Sequence, residues 1–281
     1  MNIAWAVRGN AQDGADMARL SELWDKDAYE EVEAEARALQ AKAARLRKRP
    51  RGLVLGQFAR FMATAAACGH GRGARVLDEM ESLAAELHDT AGPYRLLLLG
   101  VRRNRMVVLN GERRFGEAEA EAAAVLREVE RLKHLTQVWR LELSVLAGLV
   151  DALSGQARHE EAENIARGNL PRADERSLIA LHCGLVDDLN AQGRHAEALT
   201  EARRFAPPRV REQSGRLDMG TAAALHGLGH RSEAEAAARQ ALTDCEQFLH
   251  PEHPRLRQAR TLLADITADG PPEPTAEETA H

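Results

Sequence analysis

His159-Glu160-Glu161-Ala162-Glu163 begins like the helical zinc-hydrolase motif, in which two histidines one turn apart hold the metal and a glutamate acts as base. Glu163 stands where the second histidine is required, so the metal has no second ligand. His250 and His253 are three residues apart, but Pro251 and Pro254 break the helix that would aim them together, and no third ligand is in view. Gly69-His70-Gly71-Arg72-Gly73 has the glycines of a phosphate loop without the closing Gly-Lys-Ser/Thr, and it follows a helical pattern rather than a strand. The glutamates from Glu117 to Glu130 form a solvated helix face with Arg127 and Arg131 as ion-pair partners, not an acid/base pair. Cys68, Cys183 and Cys245 are far apart, odd in number and lack Cys-x-x-Cys spacing, which fits reduced packing thiols. No nucleophile has a recognisable base beside it. The residues therefore point to a protein that is not an enzyme and carries no cofactor or metal.

The elements that hold these residues are helices. Hydrophobic residues make up 44% of the 281-residue chain but aromatics only 4%, so the core must be built from alanine and aliphatic side chains. A net charge of −5 gives no general attraction to nucleic acid or anionic membrane. The first eight residues lack the apolar core of a secretory signal, and no stretch approaches the roughly 18 apolar residues of a membrane span, so a cytoplasmic protein is expected.

One phrase recurs: Gln156-Ala157-Arg158-His159-Glu160-Glu161-Ala162, Gln192-Gly193-Arg194-His195-Ala196-Glu197-Ala198, and Leu228-Gly229-His230-Arg231-Ser232-Glu233-Ala234, each 36 residues after the last. Each phrase is a polar turn that opens an alanine-rich helix, and a helical apolar pattern precedes it. Weaker copies lie upstream. Aligning the residue that closes the phrase gives Val32, Ala74, Ala118, Ala162, Ala198 and Ala234, at intervals of 42, 44, 44, 36 and 36. Periodicity of this length predicts a stack of helix-turn-helix units. The second unit is irregular, because Asp78 falls where an apolar residue belongs and a one-residue slip would put Leu77 there. Residues 256–266 predict a capping helix after the His250-Pro251-Glu252-His253-Pro254 break. Three segments follow: an arm or short helix over 1–12, a superhelical domain over 13–267, and an acidic, proline-rich tail over 268–281 with nothing to bury. The basic run Arg45 to Arg51 reads as a helix end, where cations face the negative pole of the dipole.

These units resemble tetratricopeptide repeats. Nine residues before the aligned position stand Leu23, Ala65, Leu109, Leu153, Leu189 and Leu225; four after it stand Ala36, Asp78, Ala122, Ala166, Ala202 and Ala238. The family's aromatic, three before it, is present only as Tyr29 and Phe115. The longer intervals and the His-Pro-Glu-His-Pro stretch are similar to the kinesin-light-chain-like branch. The resemblance implies an all-α fold, a right-handed α-solenoid of about six repeats with a C-terminal capping helix. It also implies that the first helix of each unit lines a concave groove. Carried onto this chain, the groove candidates are Arg60, Arg103, Asn104, Val107, Asn110, Asp151, Ser154, Cys183, Asp187, Asn190, Arg216 and His226. They predict arginines at one end and carboxylates further along, with asparagines free to hold a peptide backbone. Met17 and Ser21 replace the lysine and asparagine with which some members grip a terminal carboxylate, which argues against chaperone-tail binding.

The leading expectation is an adaptor or regulatory module that binds a protein segment or peptide, with a second copy of the chain among the partners allowed. A second reading is a sensor that takes up a small peptide signal and changes its superhelical pitch. A third, an RNA or single-strand binder using Arg45 to Arg51, is opposed by the acidic net charge and the scarcity of aromatics to stack bases.

Overall fold

The computed structural model describes residues 11–45, 50–90, 93–134, 137–205 and 211–268. The expected arm over 1–12 lies outside them up to residue 10, as do residues 46–49 of the basic run and the tail from residue 269. Every regular element among the described residues is helical. The chain runs as six hairpins: α1 (Ala11–Asp25) with α2 (Tyr29–Arg45), α3 (Pro50–Gly69) with α4 (Leu77–Leu87), α5 (Pro93–Gly111) with α6 (Phe115–Leu132), α7 (Trp139–Gly155) with α8 (His159–Asn169), α9 (Glu175–Ala191) with α10 (His195–Arg204), and α11 (Arg216–Gly227) with α12 (Arg231–Phe248). A final helix, α13 (Pro254–Ala268), packs on α11 and α12 as the cap. Each second helix packs on the first helix of the next unit, and the first helices α3, α5, α7, α9, α11 and α13 form a row. This is an α-solenoid with tetratricopeptide-like repeats. Its buried apolar side chains form successive clusters along the stack instead of one centre.

The aligned small residues make the stacking possible. Ala118, Ala162, Ala198 and Ala234 are fully buried, and a small side chain there lets the second helix lie close against its neighbours. The recurring phrase supplies both the turn and a clamp. Its left-handed residue is Asp27, Arg113, Ala157, Gly193 or Gly229, with φ between 54° and 79°. The arginine that follows starts the second helix: Arg158 pairs with Glu161 at 2.7 Å and Arg194 with Glu197 at 2.6 Å. The same arginines reach back one unit, Arg158 to Glu119 at 2.7 Å and Arg194 to Glu163 at 2.6 Å, with Gln156 and Gln192 donating to those carboxylates. The repeat mark of the sequence is thus the joint between repeats.

The second unit has a different register from the one the sequence predicts. Its left-handed residue is Gly71, so the aligned position is Val76, not Ala74. Val76 is 8% exposed and Met80, four on, is fully buried, whereas Ala74 lies in solvent. A 3-10 turn over Gly73–Val76 replaces the first turn of the second helix without adding a residue; the slip is invisible from spacing because Gly69, Gly71 and Gly73 can each take the left-handed turn. The corrected register puts Gly69 in line with Gly155 and Gly227. Each of these glycines lies under a ring of the preceding unit: Tyr29 on Gly69, Phe115 on Gly155, and His195 on Gly227. Histidine therefore does the aromatic's work in the fifth unit. The intervals shorten to 36 because α8 and α10 have 11 and 10 residues where α2 and α6 have 17 and 18.

Candidate functional site

The inner row owes its close approach to Gly148, Gly184 and Gly220, which recur at 36-residue spacing on α7, α9 and α11. A Cβ on Gly184 would lie 2.7 Å from Val150 Cγ1, and one on Gly220 2.8 Å from Val186 Cγ1, so only glycine allows this helix-helix distance. Two asparagines tie the row together: Asn110 Nδ2 donates to Gly148 O and Asn190 Nδ2 to Gly220 O, both at 2.8 Å. Their amide donors are therefore engaged by the next helix rather than held out for a peptide.

Arg216, at the start of α11, is the centre of a charged cluster on the inner row. Its Nη2 lies 2.6 Å from Asp151 Oδ1 on α7 and 3.3 Å from Asp187 Oδ2 on α9, so one side chain spans three inner helices. The Asp151 and Asp187 side chains remain 37% and 42% exposed, so the cluster is open to solvent on one side. Burial pushes the Asp187 carboxyl up to about 6; Arg216 opposes the rise and Asp151 adds to it. For Arg216 itself, burial lowers the pKa but the two aspartates outweigh it, so the guanidinium is held charged above its ordinary value. Arg255, at the start of α13, lies within electrostatic reach of the cluster; burial and then Arg216 lower its pKa, and its Nη1 donates to Ser214 O at 3.3 Å. Cys183 lies beneath, 1% exposed, its thiol pushed up to about 12 by burial.

Further along the row, Arg103 Nε donates to Ser144 Oγ at 2.7 Å and its Nη1 to Asn104 Oδ1 at 3.1 Å. Among the described residues no carboxylate pairs with it. Asn104 is buried beside it, and Val107, one turn on, is 37% exposed. His226 is half-exposed near the end of α11. Arg60 does not join the others: it turns to α4, where its Nη1 lies 2.8 Å from Glu86 Oε1 and its Nε 3.7 Å from Glu79 Oε1. The register of the second unit explains this, since Arg60 owed its place among the groove residues to counting from Ala74.

The structure therefore groups Asp151, Cys183, Asp187 and Arg216 in one cluster and Arg103, Asn104 and Val107 in another, while Asn110 and Asn190 join helices. The gradient expected from the sequence is replaced by local neutralisation, because Arg216 lies between the two aspartates. Sequence reasoning missed Ser144, Arg255 and the glycine row; the spacing of Gly148, Gly184 and Gly220 was the signal for the last of these.

Ser154, His159 and Asp188 lie together but are not a nucleophilic relay. Ser154 Oγ is 2.7 Å and His159 Nδ1 2.9 Å from the same Asp188 Oδ1, so the carboxylate separates hydroxyl from imidazole, where catalysis needs the imidazole between them. Asp188 is fully buried; burial raises its pKa, and the bonds from Ser154 and His159 counter that rise. This is an inter-helix clasp. No helix among the described residues is long and apolar enough to cross a membrane.

No family profile matches the sequence, and no curated protein matches it. Among solved structures, the chain is similar to the crystal structure of the apo form of RapI, with a TM-score of 0.54 and 10% identity over 92% of this chain and 71% of RapI. At that identity the likeness is one of fold, and the fold shared is a helical-repeat solenoid.

Proposed function

We propose that this chain is a non-enzymatic adaptor or regulatory module that takes an extended peptide or protein segment into its concave groove. The observation that carries this reading is the solvent-open polar cluster of Asp151, Asp187 and Arg216, flanked along the inner row by Arg103 and the exposed Val107. Such a surface offers charges of both signs, which orient a segment, and an apolar spot that holds a side chain. Three cysteines spaced far apart without a pairing motif suit a reducing compartment, and the reading places the chain in the cytoplasm. The kinesin-light-chain-like affinity stays part of the proposal on the strength of the 42–44-residue intervals.

The test is to replace Asp151 and Asp187 together by lysine and compare partner capture, read by mass spectrometry, with the wild type. Capture should be lost while helicity is kept, with melting lowered because Arg216 loses both partners; capture that survives places the binding face elsewhere. One observation favours the sensor reading. Arg216 reaches from α11 across α9 to α7, so a ligand that competes for Asp151 or Asp187 changes the link between three units at once.

A further inference from the structure

The His250-Pro251-Glu252-His253-Pro254 segment and the loop at Arg211 close the solenoid on itself. Arg211 donates through Nη1 and Nη2 to the Glu30 carboxylate at 2.9 and 2.6 Å, and through Nη1 to Asp27 O at 2.9 Å; its guanidinium also lies 5.5 Å from the centre of the Tyr29 ring. Arg176 Nη2 reaches Asp27 Oδ1 at 3.0 Å. On the other side of the same seam Arg75 pairs with Glu252, and the His250 ring meets His70 edge-on at 5.8 Å between centroids.

The backbone of the second unit is shaped for this contact. Gly71 has φ +86°, and a Cβ there would lie 2.9 Å from His253 Cα. Across the first, third and fifth units a ring covers the glycine of the next unit, but the second unit has Gly73 where that ring belongs. Pro254 approaches the uncovered Gly111 instead, its Cγ 3.8 Å from where a Cβ would be. A ring from the far end of the chain thus fills the place that the second unit leaves empty.

Two features set this seam apart from the joints between neighbouring units. Its partners are 143 to 184 residues apart in the chain, so it carries the largest closure cost. It is also polar and half-open: the Arg211 and Glu30 side chains are 22% and 48% exposed, those of Arg75 and Glu252 63% and 47%, and exposed ion pairs of this kind hold weakly. The clasp is nevertheless wired to the groove. Arg211 Nε donates to Phe248 O at 2.7 Å and Arg255 Nη1 to Ser214 O, which binds the two seam segments into one body. Arg216 and Arg255 follow Arg211 and His253 by five and two residues.

We propose that the superhelix is a ring with a releasable seam between units one to three and the Arg211 and His253-Pro254 segments, coupled to the groove through Arg216 and Arg255. Opening the seam swings both arginines away from Asp151 and Asp187; whatever holds Arg216 on those aspartates holds the ring shut. This inference rests on the fold and not on the identity of any groove ligand.

The experiment uses the full-length chain with hydrogen exchange and small-angle X-ray scattering. Glu30→Arg and Arg211→Glu should each speed amide exchange at residues 26–28, 70–75 and 249–254 on the order of tenfold and enlarge the radius of gyration, with helicity intact. The double swap E30R/R211E should return both readouts towards wild type. Arg216→Met, placed in the groove and outside the seam, should speed exchange at the same segments several-fold. Wild-type exchange and size in both single variants would show that the ring is not closed in solution. Unchanged seam exchange in Arg216→Met would remove the coupling, and loss of helicity in the single variants would make the seam part of the fold rather than a device.

Discussion

Gly184→Ala tests whether the close contact between inner helices requires glycine. The added methyl would sit 2.7 Å from Val150 Cγ1, and Val150 is fully buried with a β-branched side chain that has one favoured rotamer in a helix. Two effects oppose each other. Alanine in place of a helical glycine gains about 0.8–1 kcal/mol of propensity, while overpacking a tight contact costs about 1–3 kcal/mol. The sum is a loss of about 0–2 kcal/mol for Gly184→Ala, and Gly184→Val, which adds more volume and keeps less of the propensity gain, should lose about 3 kcal/mol. Gly148→Ala is the matched control. There the methyl would meet the Met106 thioether, whose Sδ lies 2.9 Å away and whose terminal methyl is closer still, but an unbranched side chain swings aside at small cost. Propensity then wins, and Gly148→Ala should be neutral or more stable by up to about 1 kcal/mol. Urea midpoints at unchanged slope measure all three. A Gly184→Ala protein more stable than wild type, or one that outlasts Gly148→Ala, refutes the reasoning.

Two further outcomes follow from the groove. Asp187 binds its proton more tightly folded, at about 6, than in the ordinary aspartate range, so its contribution favours the fold at low pH and is lost as pH rises through about 6. Because the side chain is 42% exposed, the step should stay under about 1 kcal/mol, and the difference in urea midpoint between wild type and Asp187→Asn, followed from pH 4.5 to 7.5, isolates it; a difference that does not change with pH rules it out. In native protein a thiol reagent should modify Cys68 first, because Cys183 and Cys245 are buried and burial pushes both thiols up, Cys183 to about 12. Mass mapping after brief alkylation reads this, and early labelling at Cys183 contradicts the burial.

The six hairpins, their turns and the cap are local properties of this sequence. An apolar stripe at helical spacing, a small or β-branched residue at each aligned position, alanine in the last four units, and a polar phrase every 36 to 44 residues fix which face of each helix must be covered and by which neighbour. The clamp of Arg158 on Glu119 and Arg194 on Glu163 belongs to the same local order, because each residue meets only the adjacent unit. The register of the second unit does not, since Gly69, Gly71 and Gly73 can each take the left-handed turn and only the packing of Val76 and Met80 selects Gly71, and the placing of Arg60 depends on that choice. The pairing in the charged cluster is also a tertiary fact: Arg216 chooses Asp151, two units away, because glycine lets α7, α9 and α11 lie close enough for one side chain to cross. The seam depends most of all on the whole structure. Whether His253 meets Gly71 and Arg211 meets Glu30 is set by the small rotation between successive units summed over the stack, a quantity that no single window of sequence contains.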